Sequence, residues 1–317
     1  MKDLLRIADL DPADLDHLLH VSQRFHDDPH AHADLLAGDT VVTYFAKPST
    51  RTRLSFASAI THLGGVAEIV GPSDLQLGRG ETIEDTARVI SRYARAFVIR
   101  TYSDDDVRQF AAAATIPVIN ALTNGHHPCQ ALADLLTLRQ HFGALEGLHL
   151  AYLGDGNNVA HSLLEACALA GIDIVVATPP GFEPDPAVVE TAERLATRSG
   201  SLVRVTHDPL LAAAGANALY TDVWLSMGDD DDERRARATA LGPYQINAAV
   251  MAEASADAVF MHCLPAHRGE EVSAGVIDGP RSVVFDEAEN RMHTAQALLF
   301  TLLLGQLHGS GTTAEVR

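Results

Sequence analysis

The sequence predicts an α/β protein with two Rossmann-like domains, each a mainly parallel sheet flanked by helices. Short apolar runs alternate with helical segments along the chain, which is typical of parallel sheets. The 317 residues, 47% of them hydrophobic, are enough for two domains with separate cores. Aromatic residues make up only 5%, so we expect both cores to be mainly aliphatic.

Nine apolar runs have the length and composition of strands. In chain order they are residues 40–45, 96–100, 117–121, 149–153, 172–177, 202–205, 218–221, 259–263 and 282–286. Helices are predicted at residues 83–93, 130–141, 159–170 and 294–307. In the helix 83–93, Ile83, Ala87 and Ile90 share one face, and acidic residues in the first turn suit the helix dipole.

The boundary between the domains is predicted where the helix 130–141 ends at Phe142-Gly143 and a new strand begins. The first domain then comprises residues 1–145 and the second comprises residues 146–317. The last helix, 294–307, carries a leucine stripe that suits packing back on the first domain.

Acidic side chains outnumber basic ones by 42 to 23, which gives a formal net charge of −19. This balance argues against binding to nucleic acid or to an anionic membrane, so local basic clusters must attract any small anion. Arg51 with Arg53 is one such cluster, and Arg100, at the end of a predicted strand, is another candidate.

The three cysteines, at positions 129, 167 and 263, show no paired spacing, which favours a reducing cytoplasm. The first residues lack the apolar centre of a secretory signal, and no apolar stretch reaches membrane-spanning length. We therefore expect a soluble, cytoplasmic protein.

The segment 47–53, Lys-Pro-Ser-Thr-Arg-Thr-Arg, lies between the first predicted strand and a helix. Pro48 marks a turn, and Ser49 or Thr50 can cap the helix while backbone N–H groups point at an anion. Arg51 and Arg53 add forked donors that suit phosphate oxygens. The segment lacks the glycine pattern of the nucleotide P-loop. By itself, it is also compatible with a capped helix that carries surface arginines.

Further polar motifs follow in order: Gln-Leu-Gly-Arg-Gly-Glu (76–81), His-Pro-Cys-Gln (127–130), Gly-Asp-Gly-Asn-Asn (154–158), Asp-Val-Trp-Leu-Ser-Met-Gly (222–228), His-Cys-Leu-Pro (262–265) and Glu-Asn-Arg-Met-His (289–293). With the segment 47–53, these motifs resemble the ornithine carbamoyltransferases, in the aspartate/ornithine carbamoyltransferase family, over nearly the whole chain. The resemblance implies transfer of a carbamoyl group from carbamoyl phosphate to L-ornithine, giving L-citrulline and phosphate, in arginine metabolism. It implies no cofactor and no metal.

By resemblance, the first domain binds carbamoyl phosphate. The residues implied are Ser49, Thr50, Arg51, Thr52, Gln76, Arg100, His127, Gln130, Cys263, Leu264 and Arg291. Arg291 would contact this substrate from the second domain, and the loop with Gln76 would reach the neighbouring subunit of a trimer. Arg100, His127 and Cys263 are the implied catalytic residues. The first two would stabilise negative charge on the carbonyl oxygen, and the thiol would help to deprotonate the attacking amine.

The second domain is implied to bind ornithine. The residues implied are Asn158, Asp222, Ser226 and Met227. The Asp222 carboxylate can pair with the α-ammonium group, and the acidic loop 229–233 closes over ornithine in the family. Cys263 discriminates within the family, because the aspartate enzymes usually carry Leu at that position.

Several of these residues also have a local interpretation. His127 beside Pro is compatible with a turn residue, Asp222 with a helix N-cap, Cys263 with a buried small hydrophobe and Arg291 with a surface ion pair. Ala57 departs from the family, which often has Glu there, and this puts one helix contact in doubt.

Alternative functions differ in their support. A metal site at His26, His30 and His32 is disfavoured, because these residues lie in a polar linker without a second ligand cluster. A nucleotide-dependent dehydrogenase is disfavoured, because Val159 occupies the third glycine position after the Gly-Asp-Gly turn. A sibling enzyme acting on N-acetylornithine, N-succinylornithine or putrescine stays open. A non-catalytic homologue that acts as a binding partner is disfavoured, because the segment 47–53 is intact.

Overall fold

The computed structural model of the protein describes residues 1–77, 79–224 and 231–309. The chain forms two compact units. The first contains Met1–Leu136 and the segment that starts at Glu289, and the second contains Thr137–Ala288. The predicted domain boundary lies at residues 145 and 146, whereas the change of unit falls inside the helix Pro128–Phe142.

The first unit contains a four-stranded parallel sheet in the order β2-β1-β3-β4. The strands are β1 (Thr40–Phe45), β2 (Val66–Val70), β3 (Ala96–Arg100) and β4 (Val118–Leu122). After a short 3-10 helix at Ile7–Asp9, the helices are α1 (Pro12–Asp27), α2 (Arg51–His62), α3 (Ile83–Tyr93), α4 (Asp104–Ala113) and α5 (Pro128–Phe142).

The second unit contains a five-stranded parallel sheet in the order β7-β6-β5-β8-β9. The strands are β5 (His149–Leu153), β6 (Asp173–Ala177), β7 (Val203–Thr206), β8 (Ala218–Tyr220) and β9 (Val259–Met261). The helices are α6 (Asn158–Ala170), α7 (Pro186–Ser199), α8 (Pro209–Ala213), α9 (Asp231–Leu241), a 3-10 helix (Gly242–Tyr244), α10 (Ala248–Glu253), α11 (Ala274–Ile277) and the start of α12 (Val284–Leu303).

The predicted fold class is confirmed, since both sheets are parallel and helices flank them. The predicted strands 40–45, 96–100 and 149–153 coincide with β1, β3 and β5. Apolar runs that are buried on both faces are therefore a reliable signal for these strands.

The predicted strand 282–286 is wrong. Ser282 forms a single bridge with Phe260, and helix α12 begins two residues later. Asp286 and Glu287 lie in the first turn of α12, where acidic side chains favour a helix start. The predicted helix 294–307 therefore begins too late and also ends too late, since α12 stops at Leu303. None of the described helices, α12 included, is long and apolar enough to span a membrane.

Strand β2 was not predicted. Its burial alternates between exposed and half-buried residues, and none of its side chains is fully buried. The strand lies at the edge of the sheet, beside β1 only, and its sequence Val-Ala-Glu-Ile-Val lacks the continuous apolar character of β1 and β3.

Each sheet has a core of its own. In the first unit, Phe97 of β3 packs in a buried cluster with Ile90 of α3 and Phe110 of α4, and the Phe97 and Phe110 ring centroids are 4.9 Å apart. In the second unit, Leu153 of β5 and Phe260 of β9 belong to a cluster rich in Ala, Val and Ile. Both cores are mainly aliphatic, as predicted, and their packing holds the strand ends in fixed positions.

A tight turn after α2 returns the chain to β2. Gly64 in this turn has φ of +86°, and a Cβ atom there would collide with the Ala33 carbonyl oxygen. Gly38 has nearly the same backbone, with φ of +83°, but a Cβ atom there would meet nothing within 4 Å. Alanine substitutions at the two glycines therefore distinguish the cost of a left-handed backbone from the cost of a steric collision.

We expect Gly38→Ala to lower the free energy of unfolding by about 1 kcal/mol, the cost of a left-handed alanine. Gly64→Ala should cost roughly 1–3 kcal/mol more, because the neighbouring backbone must also move. Urea unfolding of the two variants measures both losses. Equal losses would show that the turn relaxes freely around the added methyl group.

Candidate active site

Three neighbouring strands of the first unit end side by side and carry most of the predicted carbamoyl phosphate residues. Phe45 of β1 lies in register with Arg100 of β3, and Arg100 lies in register with Leu122 of β4. Ligands in parallel α/β sheets bind at this carboxyl end of the strands. The sheet therefore brings the segment 46–52, Arg100 and the segment 123–130 to one edge.

The segment after β1 turns directly into α2. Thr50 occupies the N-cap position, but its side chain makes no capping hydrogen bond, so the predicted Ser or Thr cap is wrong. Ser49 and Arg51 are half-buried, and Thr52 is buried. A helix start without a side-chain cap leaves backbone N–H groups for another acceptor, such as phosphate.

Arg291 of α12 joins two of the predicted residues inside the first unit. One guanidinium nitrogen donates to Oγ1 of Thr52 at 2.7 Å, and the other donates to Oε1 of Gln130. Nε2 of Gln130 donates in turn to Asp134 at 2.8 Å. The Arg291 side chain is buried, so the alternative of a surface ion pair is wrong. Residue 291 was expected to act from the second domain, but it belongs to the first unit.

His127 lies directly before α5 and is buried. Burial, and after it the charges of Arg291, Arg100 and Arg51, hold the pKa of this imidazole well below its usual value of 6.5. His127 is therefore a neutral imidazole among three guanidinium groups. The cluster differs from the predicted pair of Arg51 and Arg53, because Arg53 is exposed and Arg100 and Arg291 lie near His127 with Arg51.

The loop that carries His127 is braced by Asp104 at the start of α4. The Thr123 hydroxyl donates to Oδ1 of Asp104 at 2.6 Å, and Nδ1 of His126 lies 3.0 Å from the same oxygen. The backbone N–H of Thr123 donates to the carbonyl oxygen of His126. This loop is thus a fixed element of the fold, and the position of His127 follows from it.

Lys47 was not among the predicted site residues, although it begins the motif 47–53. Its ammonium group donates to Oδ1 of Asn124 and lies 4.4 Å from the centroid of the Tyr102 ring. Burial, and then the charge of Arg100, lower the pKa of Lys47. The motif shows a lysine at position 47, but the sequence does not show that its side chain lies near Arg100.

Gln76 lies on an exposed turn between β2 and α3, where its carbonyl oxygen accepts from the Arg79 N–H at 2.9 Å. Among the described residues, no hydrogen bond joins the Gln76 side chain to Thr52, His127 or Arg291.

In the second unit, β5, β8 and β9 also end side by side, since Tyr152, Tyr220 and Met261 are in register. Asp222 follows β8 and Cys263 follows β9. The Cys263 thiol lies 3.0 Å from Oδ1 of Asp222 and donates to it.

Asn157, which was not among the predicted site residues, contacts Asp222. Its Nδ2 donates to Oδ2 of Asp222 at 2.9 Å, while its Oδ1 accepts from the N–H groups of Val159 and Ala160 and caps α6. Asn158 is the first residue of α6 and is half-buried. The motif contains two adjacent asparagines, and the sequence does not show that Asn157 contacts Asp222.

Asp222 is not a helix N-cap, because residues 223 and 224 are not helical. Ser226 and Met227 lie outside the described residues, as does the start of the acidic loop 229–233. Leu264, next to Cys263, has a positive φ of 56°.

Cys263 is half-buried, whereas Cys129 and Cys167 are buried, so one of the three thiols is accessible. The alternative reading of Cys263 as a simple buried hydrophobe is wrong, because its sulfur has a polar partner.

Arg237 of α9 holds the turn after β5. Its guanidinium group donates to Asp155 and, at 2.9 Å, to the carbonyl oxygen of Trp224. Burial raises the pKa of Asp155, and the charge of Arg237 opposes that effect. This contact ties the segment that follows Asp222 to the start of α6.

The glycines of the Gly-Asp-Gly turn serve packing within the second unit. A side chain at Gly156 would collide with the backbone of residues 182–184, and the Gly156 N–H donates to the Phe182 carbonyl oxygen at 2.8 Å. This position is closed by protein backbone, which gives no support to a dinucleotide site.

The three histidines weighed as metal ligands face different neighbours. The ring centroid of His26 lies 5.1 Å from that of His293, the His30 centroid 4.6 Å from that of His62, and the His32 centroid 4.5 Å from that of Phe300. Within the described part of the chain, they do not form one ligand set.

Comparison with known proteins covers both units. Residues 2–140 match the family model of the aspartate/ornithine carbamoyltransferase carbamoyl-P binding domain, and residues 146–302 match that of the Asp/Orn binding domain. The chain is 58% identical to an ornithine carbamoyltransferase of Parafrankia over 87% of both chains. It is 51% identical to that of Acidothermus cellulolyticus over 96% of this chain and 97% of the relative.

Solved structures agree with these matches. The ornithine carbamoyltransferase from Pyrococcus furiosus superimposes with a TM-score of 0.92 at 46% identity, over 97% of this chain and 98% of that one. The enzyme from Gloeobacter violaceus gives a TM-score of 0.86 at 46% identity, over 96% and 99%.

Proposed function

The chain belongs to the aspartate/ornithine carbamoyltransferase family, and on this premise we propose that it transfers the carbamoyl group of carbamoyl phosphate to the δ-amine of L-ornithine. The products are L-citrulline and phosphate. The Cys263–Asp222 pair is the observation that carries the choice of acceptor. A thiol and a carboxylate suit a cationic amine, whereas the second carboxylate of aspartate would meet the negative charge of Asp222.

The phosphate group of the donor binds at the start of α2 in this proposal. The backbone N–H groups after Thr50 carry no side-chain cap, and the positive end of the helix dipole favours an anion there. Ser49, Thr50 and Thr52 supply hydroxyl groups, and Arg51 supplies a forked cation for two phosphate oxygens.

The carbamoyl oxygen gains negative charge when the amine attacks. Arg100, the neutral imidazole of His127 and the Thr52 hydroxyl are the donors for it. The Oγ1 atom of Thr52 already accepts from Arg291, so its own proton is left to donate elsewhere. One such donor contributes about 3–4 kcal/mol to transition-state stabilisation.

Gln130 and Arg291 orient the rest of the donor. Oε1 of Gln130 accepts from Arg291, and an amide oxygen can also accept from the carbamoyl NH2 group. Leu264 offers its backbone carbonyl oxygen beside Cys263. As the new C–N bond forms, the C–O bond to phosphate breaks, and phosphate takes the electron pair.

The attacking amine must lose a proton, since a lysine-like amine has a pKa near 10.4 and only the neutral form is a nucleophile. The Cys263 proton points at Asp222, and the sulfur can act as an acceptor for the δ-ammonium group. Asp222 is the base behind the thiol, and it also pairs with the α-ammonium group. Asn158, Ser226 and Met227 hold the remaining polar groups of ornithine in this proposal.

We extend the proposal to assembly and cellular context. A homotrimer would let the exposed Gln76 turn reach the active site of a neighbouring subunit. The three unpaired cysteines support a reducing cytoplasm. The proposed formation of citrulline supports a role in arginine biosynthesis.

An assay of citrulline and related products with a panel of acceptors tests the function. L-Ornithine should give a kcat/KM at least about 100-fold above N-acetylornithine, N-succinylornithine, putrescine and L-aspartate, because the site pairs with both amines of ornithine. Turnover with putrescine or an acylated ornithine, and none with ornithine, would refute the choice of substrate.

Arg51→Ala should weaken binding of carbamoyl phosphate, or of its unreactive mimic phosphonoacetamide, by roughly 100-fold or more. Isothermal titration measures this loss. Arg92→Ala is the matched control, since Arg92 is exposed near the end of α3 and its removal changes the net charge equally. Near-normal affinity in the Arg51 variant would remove the proposed phosphate cradle.

Cys263→Ala should lower kcat by roughly 100-fold, because the thiol helps to deprotonate the attacking amine. KM for carbamoyl phosphate should change less than about threefold, because the thiol acts on the other substrate. Cys167→Ala is the control, as it deletes a buried thiol of α6 in the same unit. Steady-state kinetics of both variants give the comparison. If the Cys263 variant keeps the wild-type rate, the thiol has only a packing role.

A further inference from the structure

The short segment that carries Cys263 is held by buried side chains on both sides. The N–H of His262, before the thiol, donates to Oε2 of Glu287 at 3.0 Å. The N–H of Leu264, after the thiol, donates to Nδ1 of the His262 ring at 2.8 Å. Leu264 has a left-handed backbone, which a residue other than glycine adopts only when its surroundings impose it.

The His262 ring therefore has a defined protonation pattern. Its Nδ1 accepts a hydrogen bond from a backbone N–H, so this nitrogen carries no proton. The proton is on Nε2, which lies 3.2 Å from Oε1 of Glu271 and donates to it. Both side chains are fully buried, so the ring is fixed by its two partners and is not a general base for the substrate.

Glu271 and Glu287 connect this ring to the rest of the site. Oε1 of Glu271 also accepts from the His267 N–H at 2.6 Å, which fixes the turn after Leu264. Oε1 of Glu287 accepts from the hydroxyl of Tyr220, the last residue of β8, at 3.2 Å. Asp222 follows Tyr220 by two residues, so Glu287 spans the two strand ends that supply the thiol and the carboxylate.

We propose that Glu271 is a positioning residue for the carbamoyl transfer and acts through His262 to keep the Cys263 thiol on Asp222. The inference deepens the proposed function and rests on it. Without the Glu271 carboxylate, the buried Nε2–H of His262 has no acceptor, and the ring gains by rotating toward another one. Rotation removes Nδ1 from the Leu264 N–H, and the left-handed turn beside Cys263 loses the bond that imposes it.

Two variants of Glu271 separate hydrogen bonding from packing. Glu271→Leu keeps the volume but removes the acceptor, whereas Glu271→Gln keeps an acceptor oxygen for Nε2–H. Tyr244→Phe is the matched control, because it deletes one hydrogen bond in the same unit, from the hydroxyl to the His207 carbonyl oxygen, and this bond involves neither Glu271 nor His262. Thermal unfolding of all three variants reports the general loss of stability.

The first readout is the rate at which iodoacetamide alkylates Cys263, followed by mass spectrometry of the intact protein. It needs neither substrate, and Cys129 and Cys167 are buried. We expect Glu271→Leu to alkylate roughly 10-fold faster than the wild type, because the thiol leaves the carboxylate that opposes thiolate formation. Glu271→Gln and Tyr244→Phe should stay within about twofold of the wild type.

The second readout is steady-state kinetics. Glu271→Leu should lower kcat/KM for ornithine by roughly 10- to 100-fold and leave KM for carbamoyl phosphate unchanged, with recovery in Glu271→Gln. A Glu271→Leu protein that matches Tyr244→Phe in alkylation and kinetics would overturn the proposal. An altered alkylation rate in a protein whose wild type makes no citrulline would support the positioning role and refute the proposed function.

The route through His262 has its own test, which also serves if Glu271→Leu does not fold. His262→Gln retains a nitrogen donor for Glu271 and removes the acceptor of the Leu264 N–H, so it should reproduce the fast alkylation. Combining it with Glu271→Gln should add no further change in alkylation or in kcat/KM, because both act on one contact. A His262→Gln protein with the wild-type alkylation rate would overturn the proposed route.

Discussion

The buried guanidinium group of Arg291 is the interaction on which the first half of the site depends. It donates to Thr52 at the start of α2 and to Gln130 at the start of α5, so one side chain sets the distance between two helix starts. A buried cation requires such partners, because leaving water is costly for a charge. Because the Thr52 oxygen accepts from Arg291, the Thr52 proton can donate to a substrate.

The second half of the site is centred on a carboxylate, Asp222, whereas the first half is centred on a guanidinium group. Among the side chains that the structure describes, Asp222 accepts from Cys263 and Asn157, and neither is a cation. A carboxylate that is held only by neutral donors keeps its charge available for a cation. Opposite charges on the two units thus match the two substrates, a dianion and a diamine, in a chain whose net charge alone would repel the dianion.

Sequence predicted the parts that depend on local pattern. The runs of β1, β3 and β5 are apolar on both faces, and Asp222 follows its strand as expected. Cys263 was predicted as the last residue of a strand, but β9 ends two residues before it. Strand β2 was missed because an edge strand needs no buried pattern. The roles of Asn157, Glu271 and Glu287 were missed because they arise from contacts between strand ends. Neither spacing nor composition records which asparagines and glutamates make such contacts.

The neutral state of His127 constrains how the reaction responds to pH. Burial and three nearby guanidinium groups keep the pKa of this imidazole low, so its N–H remains a donor throughout the neutral range. A protonated imidazole would add a fourth positive charge in the cluster and would bind phosphate more tightly both before and after transfer. Such uniform binding adds nothing to the rate of the chemical step. A neutral donor instead acts most strongly on the oxygen whose charge grows during attack, and the pH dependence of turnover is then left to the amine and the Cys263–Asp222 pair.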